Sequence, residues 1–213
     1  MTRKQTAEIA REYGPFEGTA RVNGVSYDGQ NVWFASGEAL VALDPESGRV
    51  ARHLDLPSDA GTAFDGKHIY QLADARIHKI EAATGKVVGS IPAPGKGKDS
   101  GLTWAEGTLW VGQYRDRTIV QIDADSGEIL RTINSDRFVT GVTFVDGEMW
   151  HGTWEGDDSD LRRIDPGSGE VLEQLEMPAG KGVSGLESDG ADLFFCGGGG
   201  SGKLRAVRRP GRG

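Results

Sequence analysis

The sequence predicts an all-β fold, a five-bladed β-propeller of four-stranded antiparallel blades, and three observations carry that expectation. The first is a unit of about 40 residues that recurs along the chain, opening as GVSYDG at Gly24, GTAFDG at Gly61, GLTWAEG at Gly101, GVTFVDG at Gly141 and GLESDG at Gly185. Self-similarity at a fixed period marks one supersecondary unit repeated. The second is the content of each unit. An aromatic run follows each acidic-Gly turn (NVWFAS, HIYQLA, TLWVGQY, EMWHGTW, DLFFCG), and then an apolar run ends in an acidic-turn-Gly tract such as ALVALDPESG or IVQIDADSG. The third is the count of 33 Gly against 8 Pro. It suits many short strands joined by tight turns, because Gly supplies the positive φ those turns need.

The elements follow in order. In the third unit, strand A is Gly101–Ala105 and the Glu106-Gly107 turn leads to strand B, Thr108–Tyr114. Strand C is Thr118–Asp123, and the Asp125-Ser126-Gly127 turn leads to strand D, Glu128–Ile133. Alternation and β-branched content favour strands, and four per unit is a propeller blade. The fifth unit holds only A (Gly185–Ser188), B (Asp192–Gly197) and C (Lys203–Arg208). Its missing strand has a candidate at the other terminus, where Ala7–Tyr13 (AEIAREY) resembles GEILRTI of the third unit. The N-terminus is therefore expected to complete the last blade and close the ring, leaving few free edges. The alternative reading makes residues 5–13 a helix. One domain spanning residues 1–213 is expected.

Composition excludes several classes. A net charge of −8 argues against nucleic acid, whose phosphates need a basic face. The basic tail, Arg205, Arg208, Arg209 and Arg212, reads as a solvated end. The single cysteine forbids an internal disulfide, and no apolar run reaches signal-peptide or membrane-spanning length. The expectation is a soluble cytoplasmic protein with no membrane or nucleic-acid partner.

The A–B and C–D turns share one rim, here called the bottom; they are short, uniform and structural in character. The B–C and D–A loops share the top. They vary and carry unusual residues: PAPGKGKDS, NSDRFVT, YRDR, WEGDDSD and CGGGGSG. Function tends to sit on variable loops of a rigid scaffold, so the site is expected at the top mouth of the channel.

Residues that break the repeat are the candidates. The third position of strand A reads Ser26, Ala63, Thr103, Thr143 and Glu187, and by alternation it points into the channel. A lone carboxylate among small groups is desolvated, which raises its pKa and suits acid–base work. The competing reading has Glu187 bonded to channel water and backbone amides. His151 breaks a column read as Phe34, Gln71, Val111 and Phe195, and is either a group that titrates near neutrality or ligates a metal, or a packed, backbone-bonded histidine. Cys196 is either a nucleophilic thiolate, with the N–H groups of Gly197–Gly200 offered to an anion beside it, or a small buried thiol. Tyr114, Arg115 and Asp116 lie with Trp154 and Glu155 on neighbouring loops, and Asp136, Arg137 and Phe138 lie between them. Two arginines and two aromatics suit a small anionic or aromatic ligand; the plainer reading is rim salt bridging. Glu155, Asp157, Asp158 and Asp160 lack the spacing of a calcium loop.

Met149–Gly169, MWHGTWEGDDSDLRRIDPGSG, resembles the plant- and bacterial-type glutamine cyclotransferases, whose pattern is approximately L-Y-E-S-T-G-x-Y-G-x-S-x-L-R-x-V-D-x-x-T-G. The matching positions are Trp150, Thr153, Gly156, Ser159, Leu161, Arg162, Asp165 and Gly169. The resemblance implies a five-bladed propeller that converts N-terminal glutamine to pyroglutamate with release of ammonia. The family's carboxylate in L-Y-E-S falls on His151, and on Phe195 in the fifth unit. Leu109-Trp-Val-Gly-Gln113 with Ile119-Val-Gln-Ile-Asp123 also resembles virginiamycin B lyase and YVTN-type repeats, where the position of Gln113 is acidic.

The resulting expectation is an enzyme acting on a small molecule or a peptide N-terminus. Glu187 or His151 is its acid–base group. Trp154, Tyr114, Arg115, Arg137, Glu155, Gln113 and Cys196 surround the substrate, and no cofactor is required. Two alternatives stand beside it: a non-catalytic propeller binding a protein or metabolite, and a lyase or hydrolase using divalent Mg or Ca.

Overall fold

A computed structural model describes residues 2–211. Two strands come first, β1 (Arg3–Thr6) and β2 (Ile9–Tyr13). Blade 1 holds β3 (Val25–Tyr27), β4 (Val32–Ala35), β5 (Gly37–Leu43) and β6 (Val50–Ser58). Blade 2 holds β7 (Thr62–Phe64), β8 (His68–Ala73), β9 (Arg76–Glu81) and β10 (Val87–Pro92). Blade 3 holds β11 (Asp99–Ala105), β12 (Thr108–Gln113), β13 (Thr118–Ile122) and β14 (Ile129–Asn134). Blade 4 holds β15 (Val139–Val145), β16 (Glu148–Glu155), β17 (Asp158–Ile164) and β18 (Val171–Glu176). Blade 5 holds β19 (Gly185–Ser188), β20 (Leu193–Gly197) and β21 (Leu204–Arg208), and β2 pairs with β21 as its fourth strand. The five sheets form a five-bladed propeller, and the ring closes through the N-terminal strand. Among the described residues, no helix is long and apolar enough to cross a membrane.

Residues 5–13 are strand rather than helix, and they serve two blades. β1 adds to the outer edge of β18 as a parallel fifth strand, with Arg3 opposite Glu173 and Thr6 opposite Glu176. Two residues later β2 runs antiparallel to β21. The basic end of the chain is likewise no free tail. Arg205 is buried against Glu12, Arg208 pairs with Glu8 at 2.8 Å, and Arg209 pairs with Asp146 at 2.7 Å and Glu148 at 3.4 Å. Arg212 lies outside the described residues. A chain beginning at Ala7 is expected to melt a few degrees lower than the full protein, since only an exposed edge strand is lost. A chain beginning at Gly14 unseats Tyr13 from the core and is expected to lose cooperative melting in calorimetry.

Five apolar clusters hold the ring, one between each pair of neighbouring blades. Their recurring contact sets an aromatic at the fourth position of strand A against a strand-B aromatic of the preceding blade, as in Tyr70–Trp104 at 5.5 Å. Blade 5 has Ser188 at that place, and Phe194 fills it instead, 5.0 Å from Trp150.

That substitution reflects a turn one residue longer. Asp28 N–H donates to Asn31 O in blade 1, whereas Asp189 N–H donates to Leu193 O in blade 5. The A–B turns are therefore not uniform. The extra residue moves the strand-B register, so Glu187 pairs with Phe195 and Leu186 with Cys196, while Val142 pairs with His151. The column of Phe34, Gln71, Val111 and His151 continues at Cys196, and Phe195 belongs with Trp33, Tyr70, Trp110 and Trp150.

The inner strands meet at a ring of glycines. A Cβ added at Gly24, Gly61, Gly101, Gly141 or Gly185 would lie 2.2, 2.5, 2.9, 2.3 or 2.3 Å from backbone of the next strand A or the residues just before it, around the full circle. Five backbone groups in mutual contact at about 4 Å leave an opening roughly as wide as one water. These glycines stand at the top end of each strand A, so the channel is pinched just below its top mouth.

Candidate functional site

Two groups of residues stand out, one on each side of the glycine ring. The lower is the channel column. Ser26, Ala63, Thr103 and Thr143 are buried, and Glu187 is half-buried. Thr143 Oγ1 donates a short hydrogen bond to Glu187 Oε1, and Ser188 N–H donates to the same oxygen at 2.9 Å. The Thr103 hydroxyl, two blades away, lies near enough to favour the charged carboxyl, as expected of a side chain aimed at the axis. Burial pushes the Glu187 carboxyl up to about 7, against the opposing pull of these hydrogen bonds.

The upper group lies on the top rim of blades 3 and 4. Tyr114 Oη donates to Trp154 O at 3.0 Å, and its ring lies 4.7 Å from Phe138. Arg117 covers Phe138 at 4.8 Å and pairs with Glu155 at 3.4 Å. Glu155 accepts Phe138 N–H at 2.7 Å, and Arg137 lies 3.9 Å from both Glu155 and Asp160. The Trp154 indole rests over Gly182, where a Cβ would come within 2.2 Å of the ring. Gln113 is buried; its Oε1 accepts from Thr118 Oγ1 at 2.7 Å and its Nε2 donates to Asp99 at 3.3 Å. The top rim thus brings together Tyr114, Trp154, Glu155 and Arg137, with Gln113 beside them. Arg115 is exposed on the same loop.

His151 and Cys196 lie in the core, away from both groups. His151 is fully buried, donates from Nδ1 to Gly152 O at 3.3 Å and leaves Nε2 without a partner. Burial brings its pKa down to about 4. Its neutral form therefore supports the fold fully above the unfolded value near 6.5, and that support is lost as pH falls from there toward 4. His151→Phe, which restores the apolar side chain of blade 1, is expected to flatten the acid limb of a stability-against-pH curve measured by urea melts. Cys196 is fully buried and its thiol is pushed up to about 12, so it carries almost no thiolate at neutral pH.

Two members of the acidic run of blade 4, Glu155 and Asp160, are already committed. Asp160 takes both Arg162 Nε and Nη2, at 2.8 and 3.1 Å, along with Thr153 and Gln174. Arg162 also reaches Asp136 at 2.5 Å. Among the described residues, no three His, Cys, Asp or Glu side chains are placed to share a metal ion.

One group escapes the sequence reading. Asp99 begins β11 beside Tyr114 and Arg115, and its carboxyl accepts Gly95 N–H at 2.9 and 3.0 Å. The signal was present. Two residues before each glycine of the ring the chain reads Val22, Asp59, Asp99, Val139 and Val183, so Asp59 and Asp99 break a column of buried valines.

Comparison with known proteins bears on the family and the fold. Residues 35–132 and 73–211 match the PQQ_2 family model, described as outer membrane protein assembly factor BamB. The chain belongs to the PQQ_2 family. No curated protein matches it in sequence. Among solved structures, this PQQ_2 propeller is similar to Myxococcus xanthus glutaminyl cyclase, with a TM-score of 0.80 at 18% identity over 98% of each chain. It is also similar to the β-propeller domain of Myceliophteria thermophila Cps50 (Swd1), with a TM-score of 0.61 at 12% identity over 96% of this chain and 100% of that one. Virginiamycin B lyase from Staphylococcus aureus follows at 0.53 and 16%, over 94% of this chain and 70% of the lyase. At these identities the likeness is one of fold.

Proposed function

We propose that this propeller is an enzyme acting on a small molecule or a peptide N-terminus, in the manner of a glutamine cyclotransferase, with Glu187 as its acid–base group. The observation that carries the reading is a single channel carboxyl, poised near neutrality, among small and hydroxyl side chains. A general acid–base is most effective with a pKa near the working pH. Glu187 stands two residue steps along β19 from Gly185 of the glycine ring, about 7 Å. Proton exchange between this carboxyl and a group held above the ring would run through water in that opening. There Tyr114 and Trp154 offer apolar surface, and Arg115 and Arg137 orient the substrate. In cyclisation of an N-terminal glutamine, the amine nitrogen attacks the side-chain amide carbon. The base removes the amine's proton, and a proton returned to the leaving nitrogen releases ammonia.

The test is ammonia release from a glutaminyl peptide. Glu187→Gln, which keeps the shape and removes the titrating group, is expected to lower kcat/KM by about 100-fold or more, in the range of general acid–base effects. Wild-type activity should titrate near pH 7. Full turnover by Glu187→Gln, or none by the wild type on any glutaminyl peptide, rejects the reading. A second reading, a propeller that binds a partner without catalysis, is favoured by the way Glu155, Asp160, Arg117 and Arg162 satisfy one another on the rim. It predicts saturable binding that Glu187→Gln leaves intact.

A further inference from the structure

The top of blade 3 carries an open pocket of about 640 Å³, lined by Gly97, Lys98, Asp99, Tyr114, Arg115 and Asp116. Its charges are unmatched. The Asp99 carboxyl is half-buried and is held by neutral amides, Gly95 N–H and Gln113 Nε2, with the Gly97 and Asp99 N–H groups also favouring its charge. Among the described residues, no cation reaches it. On the same pocket wall, Lys98 and Arg115 are exposed, and neither side chain makes a hydrogen bond or ion pair with another described residue.

We propose that this pocket binds a free α-amino acid, whose ammonium pairs with Asp99 and whose carboxylate pairs with Arg115 and Lys98. A zwitterion supplies both missing charges at once. A half-buried carboxylate without a cation carries part of its desolvation cost, and a ligand ammonium offsets it. Arg115 offers a planar fork that suits a carboxylate, and Lys98 adds a point charge. The Asp99 carboxyl is held above the usual carboxylate range chiefly by burial, so an ammonium beside it draws it down again. Asp116, the other acid of the pocket, is exposed and solvated and offers an ammonium less. Tyr114, its hydroxyl engaged with Trp154 O, presents its ring as a wall for the ligand side chain.

The inference shares Tyr114 and Arg115 with the reading of the top rim above but does not involve Glu187. Its test reads binding and the other reads turnover, so either can fail alone. The twenty common L-amino acids are titrated into the full-length protein by calorimetry, followed by the N-acetyl and C-amide derivatives of the best binder. At least one amino acid is expected to saturate the protein below about 1 mM. N-acetylation and Asp99→Asn are each expected to weaken binding about tenfold, and together no more than either alone, because they remove the same charge pair. Lys98→Ala with Arg115→Ala is expected to weaken the free amino acid similarly while leaving its C-amide unchanged. Asp99→Asn keeps the acceptor for Gly95 N–H, and an unchanged melting temperature confirms its fold. The inference fails if no amino acid saturates the protein by about 10 mM. It also fails if the best binder is indifferent to Asp99→Asn or to the loss of both cations.

Discussion

Gly141→Ala is expected to lower the melting temperature by roughly 6–12 °C, a loss of about 3 kcal/mol or more. The new methyl would sit 2.3 Å from Leu186 N and 2.7 Å from Gly185 C. Neither neighbour is the end of a flexible side chain. Both belong to β19 and its glycine, which in turn abut Gly24 of blade 1. Relief therefore means moving an inner strand, and in a closed ring that displacement passes to every interface. Gly89→Ala is the control, since its added Cβ meets nothing within 4 Å on the outermost strand of blade 2. It is expected to be neutral or slightly stabilising. Equal melting of the two variants would refute a tightly packed glycine ring. Because the ring limits access to Glu187, a folded Gly141→Ala is also expected to alter turnover.

Glu187→Gln is expected to be more stable than the wild type at pH 8, by roughly 2–3 kcal/mol, which is about 5–10 °C in melting temperature. The folded carboxyl titrates at about 7 and the unfolded one at 4.5. Between those values the native state holds the extra proton. The stabilisation is therefore complete below pH 4.5 and is lost as pH rises through 7. Above that, the wild type keeps an ionised carboxylate in a narrow channel with hydroxyls and one amide as partners. The neutral amide has no such cost, so the stability gap should close as pH falls toward 4.5. A constant gap at all pH values would show that Glu187 is not titrating near neutrality in the folded protein. A variant that is more stable and less active would mark the carboxyl as one kept for chemistry, not for the fold.

His151 and Cys196 show how far local pattern reaches. The sequence marked both as breaks in the repeat, and that was sound. It aligned His151 with Phe195, because nothing local announces that the Asp189-Gly190 turn has one residue more than its counterparts. Pairing with strand A decides that register: Leu186 lies opposite Cys196 as Val142 lies opposite His151.

The repeat by itself determined the all-β class, the five blades, the channel-facing column that ends in Glu187, and the closing of blade 5 by the N-terminus. These follow from residue period and strand alternation, which are local properties of the chain. Only the tertiary structure decided the rest. Parallel pairing of β1 with blade 4 depends on where two distant segments meet. The glycine ring that separates Glu187 from Tyr114 and Trp154 exists only because five inner strands touch around a closed circle. The unmatched charges of Asp99, Lys98 and Arg115 appear only when every ion pair in the neighbourhood is placed. A sequence specifies which groups are present; distances in the fold decide which of them are left without a partner.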